Sequence, residues 1–252
     1  MIKCKRVCKH MVGLVLLIAT AGSIAAQAQE EFFLPCDDSL QVVQHEAYTL
    51  GYNENCEQAA WVYYLLTRDR VEGSQKRRGS FKADPLVLSG SATPADYLHS
   101  GYDRGHLCPA ADNKHSAMAM RESFYMSNMS PQKPGFNRGI WKRLEEQFRL
   151  WSAEYDSLYV VTGGVLTMPV DTIGSNEVVV PACFYKIALR TVPDTTAVAF
   201  LLHNAPDNRP LPAFLVTIDS VEAVTGLDFF CRLPNQAAFE AQVDSLNWEF
   251  AR

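Results

Sequence analysis

Strand-like stretches outnumber helical ones in this chain, and they do not alternate with helices. That order constrains the fold more than any other feature. Residues 42–50 and 59–67 read as strands rich in Val, Tyr and Trp, and 158–162, 178–189, 198–203 and 214–218 are also strand-like. Shorter strands are predicted at 103–108 and 124–129. The clearest helix begins near Asn137, a candidate N-cap, because Trp141, Leu144, Phe148 and Trp151 recur three and four residues apart and give one apolar face. Short helices are predicted at 114–122, from 220 to 225 and at 237–246, and residues 68–100 read as loop. Strands with helices set between them irregularly indicate an α+β fold, not a doubly wound sheet.

The chain has 252 residues, of which 48% are hydrophobic and 20% charged. That is enough to bury a core without cysteines or a structural metal. Residues 1–28 have the form of a cleaved export signal. Lys3, Lys5, Arg6 and Lys9 precede an apolar stretch from Met11 to Ala21, and Ala26-Gln27-Ala28 fits a cleavage site. The alternative is an uncleaved anchor. Cys4 and Cys8 precede the apolar run and so do not suit lipid attachment. Residues 29–252 then form one domain, periplasmic or secreted, with no stable membrane insertion after signal removal. They keep Cys36, Cys56, Cys108, Cys183 and Cys231, an odd set that leaves at least one thiol unpaired within the chain. Cys108 is the expected free one, because it lies inside a polar motif.

Charge is uneven along the chain. Residues 29–73 carry two basic and nine acidic side chains, and 151–252 carry five and twelve. Residues 74–150 carry twelve basic and seven acidic. An acidic chain binds a polyanion only where its positive charge is concentrated. Here it is concentrated in the segment that also holds the polar motifs.

Those motifs are Asp103-Arg104-Gly105-His106, then Asn128, then Phe136 to Glu145. Phosphodiester hydrolysis needs a base near neutral pH, which histidine supplies. It also needs positive charge for the transition state, from arginine or a metal ion. Asn137 suits magnesium better than zinc, since magnesium takes a few hard oxygens and keeps its waters. Glu145 lies eight residues on, ~12 Å along a straight helix, so it would hold a metal-bound water or form a salt bridge. Each residue alone has a plainer role: His106 structural, Asn137 a cap, Glu145, Arg77 and Arg78 solvated charge.

Taken together, Asp103 to His106, Tyr125 to Gln132 and the Asn137-x-Gly139-x-Trp141-x-x-Leu144-Glu145 helix resemble the DNA/RNA non-specific endonuclease family. Secreted bacterial nucleases and mitochondrial endonuclease G belong to it. Weaker resemblance covers most of residues 29–252. The resemblance implies a ββα-metal (His-Me finger) fold with antiparallel sheet and flanking helices. It implies His106 as general base, Asn137 as ligand of Mg2+ (Mn2+ or another divalent cation being alternatives), and Glu145 orienting a metal-bound water. It implies that Arg104 and Asn128 support the phosphate and the site geometry. An arginine before Phe81 contacts phosphate, with Arg78 the choice and Arg77 the runner-up. The substrates would be DNA and RNA, cut with little sequence specificity to 5′-phosphate and 3′-hydroxyl ends; a homodimer is left open.

Three rival functions use the same residues. One is a catalytically inactive nucleic-acid-binding relative. Another is a phosphodiesterase for small nucleotides. The third is a zinc protein built on His99, His106, Cys108 and His115, whose spacing matches no zinc module. No GxSxG occurs, so a serine hydrolase has no support.

Overall fold

The computed structural model describes residues 32–243 and 247–250. The signal-like segment, and residues 244–246 of the predicted terminal helix, lie outside them. The fold is α+β.

Its centre is a seven-stranded antiparallel sheet in the order β1-β2-β3-β6-β9-β10-β11. The strands are β1 (Gln41–Gln44), β2 (Thr49–Asn53), β3 (Gln58–Thr67), β6 (Ser157–Gly164), β9 (Cys183–Arg190), β10 (Thr196–His203) and β11 (Leu215–Val216). Strand periodicity sends alternate side chains to opposite faces. On β3, Val62, Tyr64 and Leu66 join one core layer, and Trp61 and Tyr63 join the other. On β9, Phe184 and Ala188 go with the first layer, and Tyr185, Ile187 and Leu189 with the second. Both faces are covered, which is why these strands read as near-continuous apolar runs.

Helix α3 (Lys142–Glu154) lays Leu144, Phe148 and Trp151 on the first face. Helix α4 (Ile218–Thr225) lays Ile218 and Val221 on the second, beside Phe229 and Phe230. Helix α4 starts where the Thr217 hydroxyl accepts the Ser220 N–H at 3.1 Å, and it stops at Gly226 in the left-handed region (φ 75°). A Cys36–Cys231 disulfide ties together segments 195 residues apart, while Cys56, Cys108 and Cys183 are free.

The polar motifs fall outside the large sheet. Strands β4 (Asp103–His106) and β5 (Met129–Gln132) form an antiparallel pair with Gly105 opposite Ser130 and His106 opposite Met129. The chain then enters α3, giving two strands and a helix around one cleft.

Several boundaries differ from the sequence expectation, each for a local reason. Residues 42–50 are two strands, because the chain reverses between His45 and Tyr48 (N–H to O, 2.9 Å). The reversal has no Gly or Pro to mark it, and its Ala47 and Tyr48 are buried. Residues 178–189 divide into β8 (Val178–Pro181) and β9, which lie in different sheets; Pro181, lacking an N–H, ends the first. Strand β8 pairs with the exposed β7 (Pro169–Ile173), which has no apolar alternation to reveal it. Residues 126–128 form a 3₁₀ turn before β5. A second such turn, Leu211–Phe214, shortens the predicted strand at 214–218. The helix predicted at 114–122 begins only at Ala117, capped by the Ser116 hydroxyl, and runs to Glu122 as α2. The loop at 68–100 opens with a short helix, α1 (Arg68–Glu72). Near the C-terminus the described helix is Gln236–Glu240, α5.

Candidate active site

His106 ends β4, and its placement begins with its neighbour. At Gly105 a Cβ would fall 2.2 Å from the Gln132 side chain, so a close strand crossing requires glycine there. Beyond His106, the buried Asn128 fixes the backbone. Its Oδ1 accepts the Cys108 N–H at 2.8 Å, and its Nδ2 donates to the Cys108 and Ser123 carbonyls at 2.9 Å each. The whole carboxamide is used this way and is fully buried. The Asn128 carboxamide thus holds the backbone on either side of the site, at Cys108 and Ser123.

The His106 ring lies edge-on to Phe124 at 5.2 Å and near Phe81 at 5.9 Å. Its Nε2 is buried without a partner. Burial, and after it the positive charge of Arg77, pushes its pKa down to about 3. Both effects favour the neutral ring, which keeps one nitrogen lone pair.

Asn137 is not the helix cap that its position suggested. It lies in a wide turn over Phe136–Trp141, kinked at Gly139 (φ −106°, ψ −108°), and regular α3 starts at Lys142. Its Nδ2 donates to Asp103 Oδ2 at 2.9 Å. Arg138 grips the same carboxylate with two N–H donors at 2.8 and 2.6 Å. Burial favours protonation of Asp103, but the hydrogen bonds from Arg138 and Asn137 outweigh it and hold the carboxyl below its usual range. The contact also orients Asn137: with its N–H2 turned to Asp103, its carbonyl oxygen accepts no hydrogen bond among the described residues.

Glu145 and Arg149 stand one helical turn apart on α3. Arg149 pairs with the buried Asp112 at 2.9 Å. Burial raises the Glu145 pKa; the charge of Lys186 acts the other way. Lys186 projects from β9 beneath α3, fully buried, with its Nζ 5.3–5.5 Å from the ring centres of Tyr64, Trp141 and Phe148.

These side chains converge on an open cleft of about 440 Å³ lined by Arg77, Arg104, His106, Asn137, Glu145 and Arg149, with Arg138 and Lys142 also present. Five cations surround one carboxylate. Arg104 is steadied by donating to the Pro94 carbonyl at 2.9 Å and by stacking over Phe81. Arg78 is not among the lining residues. It faces a neighbouring cavity, and Arg77, its guanidinium over the Phe124 ring at 5.4 Å, takes the place beside His106. Of the two arginines weighed for phosphate contact, Arg77 is therefore the one that lines this cleft.

Sequence reasoning overlooked Arg149, Arg138 and the bridging role of Asp103. Arg149 carried a usable signal, since it follows Glu145 by four residues on one helix face. The zinc alternative finds no geometry. Among the described residues the grouping of three or more His, Cys, Asp or Glu ligand atoms is Asp219, Glu222 and Glu240, distant in sequence from His106.

The comparisons with known proteins agree with this geometry. Residues 30–236 match the family model for DNA/RNA non-specific endonucleases. Human mitochondrial endonuclease G is 36% identical over 205 residues, 75% of this chain and 69% of that protein. Nuclease C1 of Cunninghamella echinulata var. echinulata is 38% identical over 210 residues, 76% of this chain and 83% of that one. The mitochondrial nuclease EXOG of Xenopus laevis is 33% identical, and the match spans 65% of its length. A chain in a crystal structure of an EndoG/EndoGI complex superposes with a TM-score of 0.75 at 31% identity, covering 81% of this chain and 91% of that one. From the strand pair and helix to the wider sheet, the chain belongs to the DNA/RNA non-specific endonuclease family.

Proposed function

We propose that this protein is a magnesium-dependent endonuclease that hydrolyses phosphodiester bonds in DNA and RNA with little sequence preference. One observation carries the proposal. A neutral His106 and an Asn137 whose amide oxygen is free share a cleft with five cations.

The donor set fits a hard divalent cation. Asn137 offers one oxygen, held in orientation by Asp103, and the cleft leaves space for the waters magnesium retains. Such an ion, when bound, supplies positive charge to the developing phosphorane and to the leaving oxygen. The protein side chains do the rest. His106 takes the proton of the attacking water. Its apolar walls, Phe81 and Phe124, disfavour the protonated ring before reaction. Arg77 and Arg104 neutralise the phosphate oxygens, and Arg149 adds charge from the helix. Glu145 accepts hydrogen bonds from water on the side of the cleft facing α3. The cationic lining addresses the phosphate, which DNA and RNA share, and this is consistent with cutting both.

Export to the periplasm or beyond is part of the proposal. The Cys36–Cys231 disulfide supports it, since such bonds persist in oxidising compartments.

The test is degradation of plasmid and of structured RNA with magnesium or EDTA, by the natural chain and by His106→Ala. Magnesium-dependent loss of both substrates, abolished in the variant, is expected. A folded protein that cuts neither polymer with any divalent cation would sink the proposal.

A further inference from the structure

Beside the catalytic cleft lies a second, larger cavity of about 900 Å³. Its lining includes Lys76, Arg78, Lys82 and Arg121 and no carboxylate. All four cations are exposed, and none pairs with an acid among the described residues. Elsewhere Arg138, Lys142, Arg149 and Arg209 are each matched to a carboxylate, and the whole chain carries a net charge of −5. Four unmatched cations around one groove repel one another, and a polyanion relieves that repulsion.

The wall between groove and cleft is one small apolar cluster. Met120 lines the groove, Ala110 lines the cleft, and both pack with Phe124 and Phe81. The loop from Arg77 to Phe81 crosses this wall closely, for a Cβ at Gly79 would meet the Phe124 ring at 2.2 Å. On this loop Arg77 faces the cleft and Arg78 faces the groove. Consecutive Cα atoms are ~3.8 Å apart, so this loop joins the cationic lining of the cleft to that of the groove.

We infer that the groove of Lys76, Arg78, Lys82 and Arg121 binds the phosphate backbone of the same nucleic-acid strand beyond the bond being cut. This rests on the nuclease proposal and deepens it, because it makes the substrate a polymer and not a small nucleotide. Phosphate charge is the recognised group. The groove offers these cations, the Ser and Gln side chains of the loop and no aromatic ring among its lining residues, so bases are not selected there.

The experiment compares the natural chain, Lys82→Ala/Arg121→Ala and the charge-keeping Lys82→Arg/Arg121→Lys, after melting curves confirm that each folds. Cleavage of a long single-stranded oligonucleotide with magnesium gives KM as a function of salt. Fluorescence anisotropy of the same labelled strand on the His106→Ala chain, with and without the groove changes, gives Kd. Each lost phosphate contact lowers the slope of log affinity against log salt by ~0.7 for single strands. The alanine pair is expected to weaken binding and raise KM about tenfold, with a slope reduced by roughly 1.4 for two contacts. The charge-keeping pair should restore both. Unchanged KM, Kd and slope in a folded alanine pair, while the natural chain cuts normally, would overturn the groove and leave the nuclease standing. Binding weakened as expected in a protein that never cuts would keep the groove and overturn the nuclease. Loss that the charge-keeping pair does not restore would also overturn the groove, since it would then be a packing effect.

Discussion

The two faces of the large sheet are built differently, and β9 shows it within one strand. Toward α4 it presents Tyr185, Ile187 and Leu189, which pack among Trp61, Tyr63 and Phe229. Toward α3 it presents Phe184, Ala188 and, between them, Lys186. Burying an ammonium is expensive unless something compensates. The α4 face therefore has the composition of a stabilising layer, closed by the Cys36–Cys231 disulfide. The α3 face carries a stability cost beneath the cleft. The difference teaches where chemistry has displaced packing as the rule for choosing residues.

Variants on each face should separate activity from stability. The largest effect is expected from His106→Ala, which should lower turnover by ~10²–10⁴ if the ring is the general base. Its fold should persist, as circular dichroism and melting would show. Near-normal turnover would remove His106 from the mechanism. On the opposite face the pattern reverses. Phe229→Ala opens a cavity in the α4 layer and should cost ~3–5 kcal/mol in denaturant unfolding, with kcat per folded molecule unchanged. A comparable fall in kcat would mean that the two faces are coupled. Next comes the disulfide. Cys36→Ser with Cys231→Ser should cost ~2–5 kcal/mol, and the rate of nucleic-acid cleavage should again be kept at temperatures where the protein is folded. A stability unchanged by its removal would show that the second face is closed by packing alone.

How much of this was legible in the sequence follows the same division. The apolar stripe of Trp141, Leu144, Phe148 and Trp151 announced α3, because one buried face imposes helical spacing. The α+β class was legible from irregular strand order. His106, Asn137 and Glu145 were legible as a set through family resemblance, and the structure brings all three to one cleft. The choice between Arg77 and Arg78 was not legible. They are adjacent in an irregular loop, and its tight passage past Phe124 at Gly79 is a tertiary fact with no signal in the sequence. The hairpin at 45–48 was hidden because three of its four turn residues are buried and none is glycine or proline. Asn137 looked like a cap because its carboxamide precedes the apolar stripe. The kink at Gly139 and the Asp103 acceptor give it another place, and both are tertiary facts. Lys186 had the weakest signal: one charge within an apolar strand gives no hint that it is buried.

Lys186 also offers the finest test of the comparison. Its Nζ is buried and makes no hydrogen bond, so Lys186→Met keeps most of the volume and removes only the charge. Replacing a buried charge by a well-packed apolar group is often neutral or stabilising, and similar-volume swaps usually cost under ~1.5 kcal/mol. Stability should therefore change little. Activity should respond, because Lys186 is the largest favourable charge acting on the Glu145 carboxylate, which burial pushes toward protonation. Without that charge the Glu145 pKa rises further, less of it is ionised at a given pH, and the acid limb of kcat/KM moves upward. A shift of about one pH unit corresponds to ~1.4 kcal/mol of lost interaction. The control is Glu145→Gln, which does not titrate. In that background Lys186→Met should leave the profile where it was. If it moves the profile equally with and without the Glu145 carboxyl, the ammonium acts through some other group, and the α3 face holds its charge for a reason unconnected with Glu145.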